Sequence, residues 1–135
     1  MQTESNIKPD KFIIEEHNKK CDVLFSSDIE ETERNGETFY TYNLYRLQMR
    51  ARDNLEETIS NNYETWLEVA KQKEEDTLAK EIRTKRNKLL AETDWTQMPD
   101  VSTELQEEYK TYRQELRDIT KQEEFPYSVI FPQKP

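Results

Sequence analysis

The residues best equipped for chemistry in this chain are few. His17 and Cys21 stand four apart and can both touch one metal ion. A structural zinc site needs four such ligands, and the chain has no second histidine or cysteine to complete one. Glu30, Glu31 and Glu33 precede Gly36 and suggest a calcium loop. With Gly36 placed at the sixth loop position, Tyr42 falls where the bidentate acid must stand, so the pattern fails. A serine hydrolase site needs His17 as its base, and nothing singles out a serine to go with it. Paired carboxylates are too common in so acidic a chain to mark a glycosidase. The lone glycine excludes phosphate-cradling loops, dinucleotide fingerprints and nucleophile elbows, each of which needs several glycines at fixed spacing. No catalytic constellation, metal site or cofactor site emerges, and the chain reads as a non-enzyme.

Composition narrows the class further. Of 135 residues, 33% are hydrophobic and 36% charged, with 29 acids against 20 bases for a formal net charge of −9. So little apolar material argues against one large enclosed core and for an elongated or partner-dependent molecule. Apolar runs stop at three residues, as in Phe12-Ile13-Ile14, so no membrane span is expected. The N-terminus lacks the basic and apolar parts of a signal peptide, which points to a soluble chain made in a cytosol. Net acidity disfavours nonspecific contact with nucleic acid or anionic membrane. Lys80, Arg83, Lys85, Arg86 and Lys88 form a local basic cluster. Their positions wrap around a helix instead of lining one side, the mark of a solvated helix more than of a phosphate-binding stripe.

Three regions would position these residues. Residues 1–50 are read as a polar lead-in over 1–10, a short strand at Phe12–Ile14, and a β-hairpin over roughly 22–48. Asn35-Gly36 is the turn, because both residues of a tight hairpin turn must reach positive φ. A two-residue turn there sets Thr32 opposite Phe39 and Ile29 opposite Tyr42. The strand Thr38–Leu47 carries apolar residues on both faces, with Tyr40 and Tyr42 as candidate partner contacts.

From residue 53 the period becomes helical. Leu55, Ile59, Tyr63, Trp66 and Ala70 form one stripe, and Leu78, Ile82 and Leu89 continue it past the polar stretch 71–77. Residues 51–79 are therefore expected as a connecting helix, within a run of about 40 residues that bends near 71–77 or lies along something else. Residues 80–135 are expected as an antiparallel helical hairpin with an extended Pro-rich tail. The break at Asp94–Asp100 contains Pro99, Thr103–Gln106 resembles a capping box, and Leu105, Tyr109, Tyr112, Leu116 and Ile119 make the stripe of a helix over 103–121. The expected class is α+β, mainly α.

The second half also carries a recognisable order of motifs. Lys85–Asp100, with Leu89-Leu90, Thr93-Asp94-Trp95-Thr96 and Pro99-Asp100, is followed by Tyr112-Arg113-Gln114 and Leu116-Arg117-Asp118, then by Phe125-Pro126-Tyr127 and Pro132–Pro135. As a set, these residues over about 80–135 resemble the phage tail assembly chaperone family. Phe131 stands where that family often shows tryptophan. The resemblance implies a non-enzymatic tail or tail-fibre assembly protein, acting in the host cytoplasm. It would bind a tail component through apolar surface, with self-association possible and no nucleic acid, membrane or cofactor involved. The other reading is a structural subunit of the tail or baseplate kept in the virion. Candidate contacts in this module are Trp95, Pro99, Tyr112, Arg113, Arg117, Phe125, Pro126, Val129 and Phe131. Trp95 either plugs the end of the helical pair or faces a partner, and the two arginines pair with acids of the facing helix or of another chain.

Overall fold

The computed structural model describes residues 1–135. The chain divides into two compact units, Met1–Glu74 and Glu75–Pro135.

The first unit is built on a four-stranded antiparallel sheet. The strands are β1 (Gln2–Ser5), β2 (Phe12–His17), β3 (Lys20–Arg34) and β4 (Glu37–Arg50), in the order β1-β4-β3-β2. This corrects the mainly α class and the single N-terminal hairpin expected from sequence: the hairpin is there, but it is the centre of a sheet. The expected lead-in holds β1, which pairs with β4 from Gln2↔Asn43 to Ser5↔Tyr40. Its polar residues show no alternation. The ladder with β4 holds it, and at its start the Met1 amine donates to Leu44 O at 3.0 Å and to a Glu74 carboxylate at 3.1 Å. β2 does alternate. Phe12 and Ile14 face the core opposite Phe25 and Val23, while Ile13 lies on the other side of the sheet.

The hairpin turn is as expected, with Asn35 at φ 53° and Gly36 at φ 81°. Thr32 pairs with Phe39, but Ile29 does not pair with Tyr42. The ladder passes from Ser27↔Asn43 to Glu30↔Thr41, so Asp28 and Ile29 together oppose Tyr42 in a β-bulge. Asp28 takes the positive φ of 53° that the bulge requires. Its carboxylate accepts from Asn43 Nδ2 at 3.0 Å and from Ser27 Oγ at 2.9 Å. Those two hydrogen bonds hold its pKa below the usual carboxylate value.

Two helices cover one face of the sheet. α1 (Leu55–Asn61) and α2 (Tyr63–Glu92) are separated at Asn62, so the interruption comes earlier than the 71–77 stretch, through which α2 runs unbroken. The stripe read from sequence is the one that packs. Leu55, Ile59 and Ala70 are buried with Cys21, Val23, Phe25, Leu47 and Leu67, and Tyr63 and Trp66 lean on them. Phe12, Phe25 and Tyr63 form an aromatic triangle with centroids 6.0–6.3 Å apart. Tyr63 also donates to Ser26 O at 2.9 Å, and burial raises its pKa.

The second unit has its own core. The last part of α2 is followed by a short 3-10 turn (Asp94–Gln97), α3 (Thr103–Arg117), and a second 3-10 turn (Asp118–Lys121). Tyr109, Tyr112 and Leu116 are buried against Leu89, Leu90, Leu105 and Phe131. The helix cap is Ser102, whose hydroxyl accepts from Leu105 N at 3.4 Å. It sits one residue before the expected Thr103. Gln106, expected to close a capping box, instead donates to Met98 O at 2.8 Å and Val101 O at 2.9 Å.

Candidate partner-binding site

The motif residues of the second unit converge on the end of α2. The last carbonyls of a helix lack internal partners and attract cationic donors. Arg113, on α3, supplies them. It is 8% exposed, and its guanidinium donates to Leu90 O at 2.7 Å, to Thr93 Oγ1 at 2.9 Å and to Asp94 Oδ1 at 2.7 Å. Thr93, itself buried, donates to Leu89 O at 3.0 Å and Leu90 O at 3.1 Å. Thr96 donates to Thr93 O at 2.6 Å and Gln97 to Gln106 O at 3.1 Å. Asp94, Thr93, Thr96 and Arg113 thus form one hydrogen-bonded knot that turns the chain from α2 into α3. No buried side-chain polar atom lacks a partner.

The knot leaves an apolar rim outside it. Trp95 sets its ring against Tyr109, tilted at 51° with centroids 6.3 Å apart, yet 55% of the residue is exposed. Met98, also 55% exposed, and Pro99 continue that rim. Met98 carried no functional signal in the sequence beyond its place beside Pro99. Tyr112 is buried and meets Tyr109 edge-on, and burial raises its pKa. Arg117, one turn beyond Arg113, is exposed and enters none of the ion pairs.

The Pro-rich tail lies on its own helices. Phe131 packs against the second core, with Lys85 Nζ 4.2 Å above its ring, and Arg83 stands 5.5 Å over Phe125. Two members of the basic cluster therefore face aromatic rings of the tail. Pro126 is buried, and Val129 is half-buried. Gln122 closes the tail loop: its side-chain amide donates to Ile130 O and accepts from Ile130 N, both at 2.8 Å. Ile130 itself is 79% exposed and Tyr127 58% exposed, two apolar surfaces that sequence reading did not single out. Asp118 accepts from Lys121 at 2.8 Å and from Gln114 at 3.1 Å, which lowers its pKa.

The remaining candidates lie in the first unit. Tyr40 and Tyr42 are half-buried on β4, opposite Ser5 and Thr3 of β1. His17 is exposed at the end of β2. Cys21 is buried on β3, where burial, then Glu16 and Asp22, raise its thiol pKa. Their side chains project from opposite faces of the sheet, because His17 pairs with Lys20 and Cys21 with Glu16. No group of three or more His, Cys, Asp or Glu stands close enough to hold a metal ion. No helix is long and apolar enough to cross a membrane.

Residues 79–135 match the family model described as phage tail assembly chaperone protein. The match covers the Arg113 knot, the Trp95 rim and the tail, and it bears out the resemblance read from these residues. It supports a role in phage tail assembly and, through that role, suggests a non-enzymatic protein. No curated protein and no solved structure matches the chain.

Proposed function

We propose that this chain is a non-enzymatic assembly factor that binds a phage tail or tail-fibre protein in the host cytoplasm and keeps an apolar part of it from premature association. The observation that carries this reading is the family match over 79–135 taken with the exposed rim it encloses. The knot beneath the rim ties Thr93, Asp94 and Thr96 to Arg113 and the end of α2, so the turn that carries Trp95, Met98 and Pro99 is held by hydrogen bonds. A rigid aromatic displayed beside a proline is the kind of anchor that a partner's pocket accepts. Arg117 supplies an exposed cation one turn from the Arg113 knot, able to pair with an acid of the client. Phe125, Val129 and the tail loop offer a second apolar contact. Tyr40 and Tyr42, on β4 of the first unit, are a separate candidate contact. Tyr112, Arg113, Pro126 and Phe131 contribute by holding these surfaces in place. The net charge of −9 keeps the factor soluble while its apolar rim is uncovered.

The test is mass spectrometry of gradient-purified particles of the phage encoding the chain, alongside affinity capture from infected-cell lysate. Capture of a tail protein by the wild-type chain, its loss with Trp95→Ala, and absence from the particle are the expected results. A fixed stoichiometric copy number in the particle would make the chain a tail or baseplate subunit instead.

A further inference from the structure

The sheet of the first unit has two open edges of opposite charge. β1 covers β4 only at Tyr40–Asn43, with Leu44 N donating to Met1 O at 2.8 Å. Beyond Leu44 no strand lies on that side of β4. Backbone donors alternate along a strand, and Ala51 N turns to Lys19 O on the β3 side. The N–H and C=O groups of Arg46, Gln48 and Arg50 therefore point out of the open edge. Neither Arg46 nor Arg50 enters an ion pair, and both are exposed. A groove of about 290 Å³ between β4 and α2 runs beside this edge, lined by Leu47, Met49, Trp66 and Val69 among others.

The other edge belongs to β3. β2 covers it only at Lys20–Phe25, with Ser26 N donating to Lys11 O. Past the bulge, Glu31 and Glu33 present their backbone groups outward, and both side chains are exposed and unpaired.

We infer that the basic edge of β4 takes the acidic edge of β3 from a second copy of this chain, in head-to-tail strand addition. An unpaired row of backbone groups is a template for another strand. Antiparallel pairing of residues 31–33 with 46–50 sets one glutamate directly opposite an arginine (Glu33 with Arg46, or Glu31 with Arg50), leaves the other opposite Gln48 and diagonal to both arginines, and brings Thr32 opposite Leu47 or Met49 beside the groove. Cross-strand pairs of opposite charge stabilise, whereas β4 on β4 would oppose Arg46 to Arg50, a like-charge pairing that disfavours the two-fold alternative. A heterologous contact of this kind closes into a ring or propagates as a chain of subunits. It is distinct from the proposed client contact: it uses neither the Trp95 rim nor the tail, and on β4 it uses Arg46–Arg50, beyond Tyr40 and Tyr42, which β1 covers.

The experiment is sedimentation velocity of the full chain over a concentration series, at low and at high ionic strength. Expected is reversible association that salt weakens. R46E/R50E and E31K/E33K should each weaken it by roughly tenfold or more, and an equimolar mixture of the two variants should associate again, because each then offers the other a complementary edge. All four substituted positions are exposed. Hydrogen exchange on the wild-type chain gives an independent reading, in which the amides of Arg46, Gln48, Glu31 and Glu33 become protected as concentration rises. A chain that stays monomeric throughout the series overturns the inference. So does association that survives both variants, or that leaves those four amides unprotected.

Discussion

Arg113→Met tests the knot at the end of α2 most directly. Methionine keeps the length and apolar stem of arginine and removes three donated hydrogen bonds, to Leu90 O, Thr93 Oγ1 and Asp94 Oδ1. Hydrogen bonds from a charged donor contribute about 1.5–3 kcal/mol each, and an acceptor stranded by the loss of its donor adds to the cost. Here the partners are not all orphaned. Leu90 O still accepts from Thr93 N and Thr93 Oγ1, each at 3.1 Å, and the Thr93 hydroxyl keeps its acceptors. The Asp94 side chain is 67% exposed, so water screens that ion pair and its share is at most about 1 kcal/mol. The expected loss is therefore about 2–3 kcal/mol, below the cost of a fully stranded buried charge. Urea unfolding in a Trp66→Phe background makes Trp95 the reporter, so the signal comes from the second unit alone. At a slope of about 2 kcal/mol/M the midpoint should fall by about 1 M or slightly more. A double-mutant cycle with Asp94→Ala then isolates the ion pair. A total loss below about 1 kcal/mol would refute the reasoning, as would a cycle in which Asp94 accounts for the whole effect.

Further expectations follow from other parts of the molecule. Ile59→Ala, at a fully buried position under the sheet, should cost about 2–5 kcal/mol in the first unit, read by thermal melting followed at Trp66 in a Trp95→Phe background. Deleting residues 125–135 removes Phe131 from the second core and should lower the stability of that unit by about 2–4 kcal/mol; an unchanged midpoint would show that the tail is not part of the fold. Gly36→Ala meets no atom within 4 Å but must hold φ 81°, so it should cost about 1–2 kcal/mol through backbone strain alone. Asp28, with its folded pKa below the ordinary 3.8, contributes stability that is present above 3.8 and is lost as pH falls through the lower folded value; carboxyl ¹³C titration by NMR reads it, and Asn43→Ala should move that pKa back toward 3.8.

The parts of this fold legible in the sequence are those with a strong local period or a turn that only certain residues can make. Asn35-Gly36 fixed the hairpin, and the Leu55–Ile59–Ala70 and Tyr109–Tyr112–Leu116 stripes marked the two cores. What escaped is held by partners distant in sequence. β1 has no apolar alternation to read, since its place depends on main-chain pairing with Tyr40–Asn43 of β4. The bulge at Asp28 depends on Asn43, 15 residues away. At the candidate site, the motif order identified Trp95 and Arg113 but not their division of labour. Arg113 is turned inward and Trp95 is left outside, and only the packing of α3 on the end of α2 decides which. The basic cluster lies largely exposed on its helix, as read, but its contacts were not legible, because Arg83 and Lys85 meet Phe125 and Phe131 only once the tail has folded back.

The Gln122 clasp has an evolutionary corollary. Its amide behaves as a spare peptide group and reads only the main chain of residue 130, never the side chain there. Loop geometry and surface identity are thereby uncoupled. Substitutions at position 130 leave both of these bonds in place and so let the loop keep its form, whereas position 122 is confined to a side chain that both donates and accepts at the same reach.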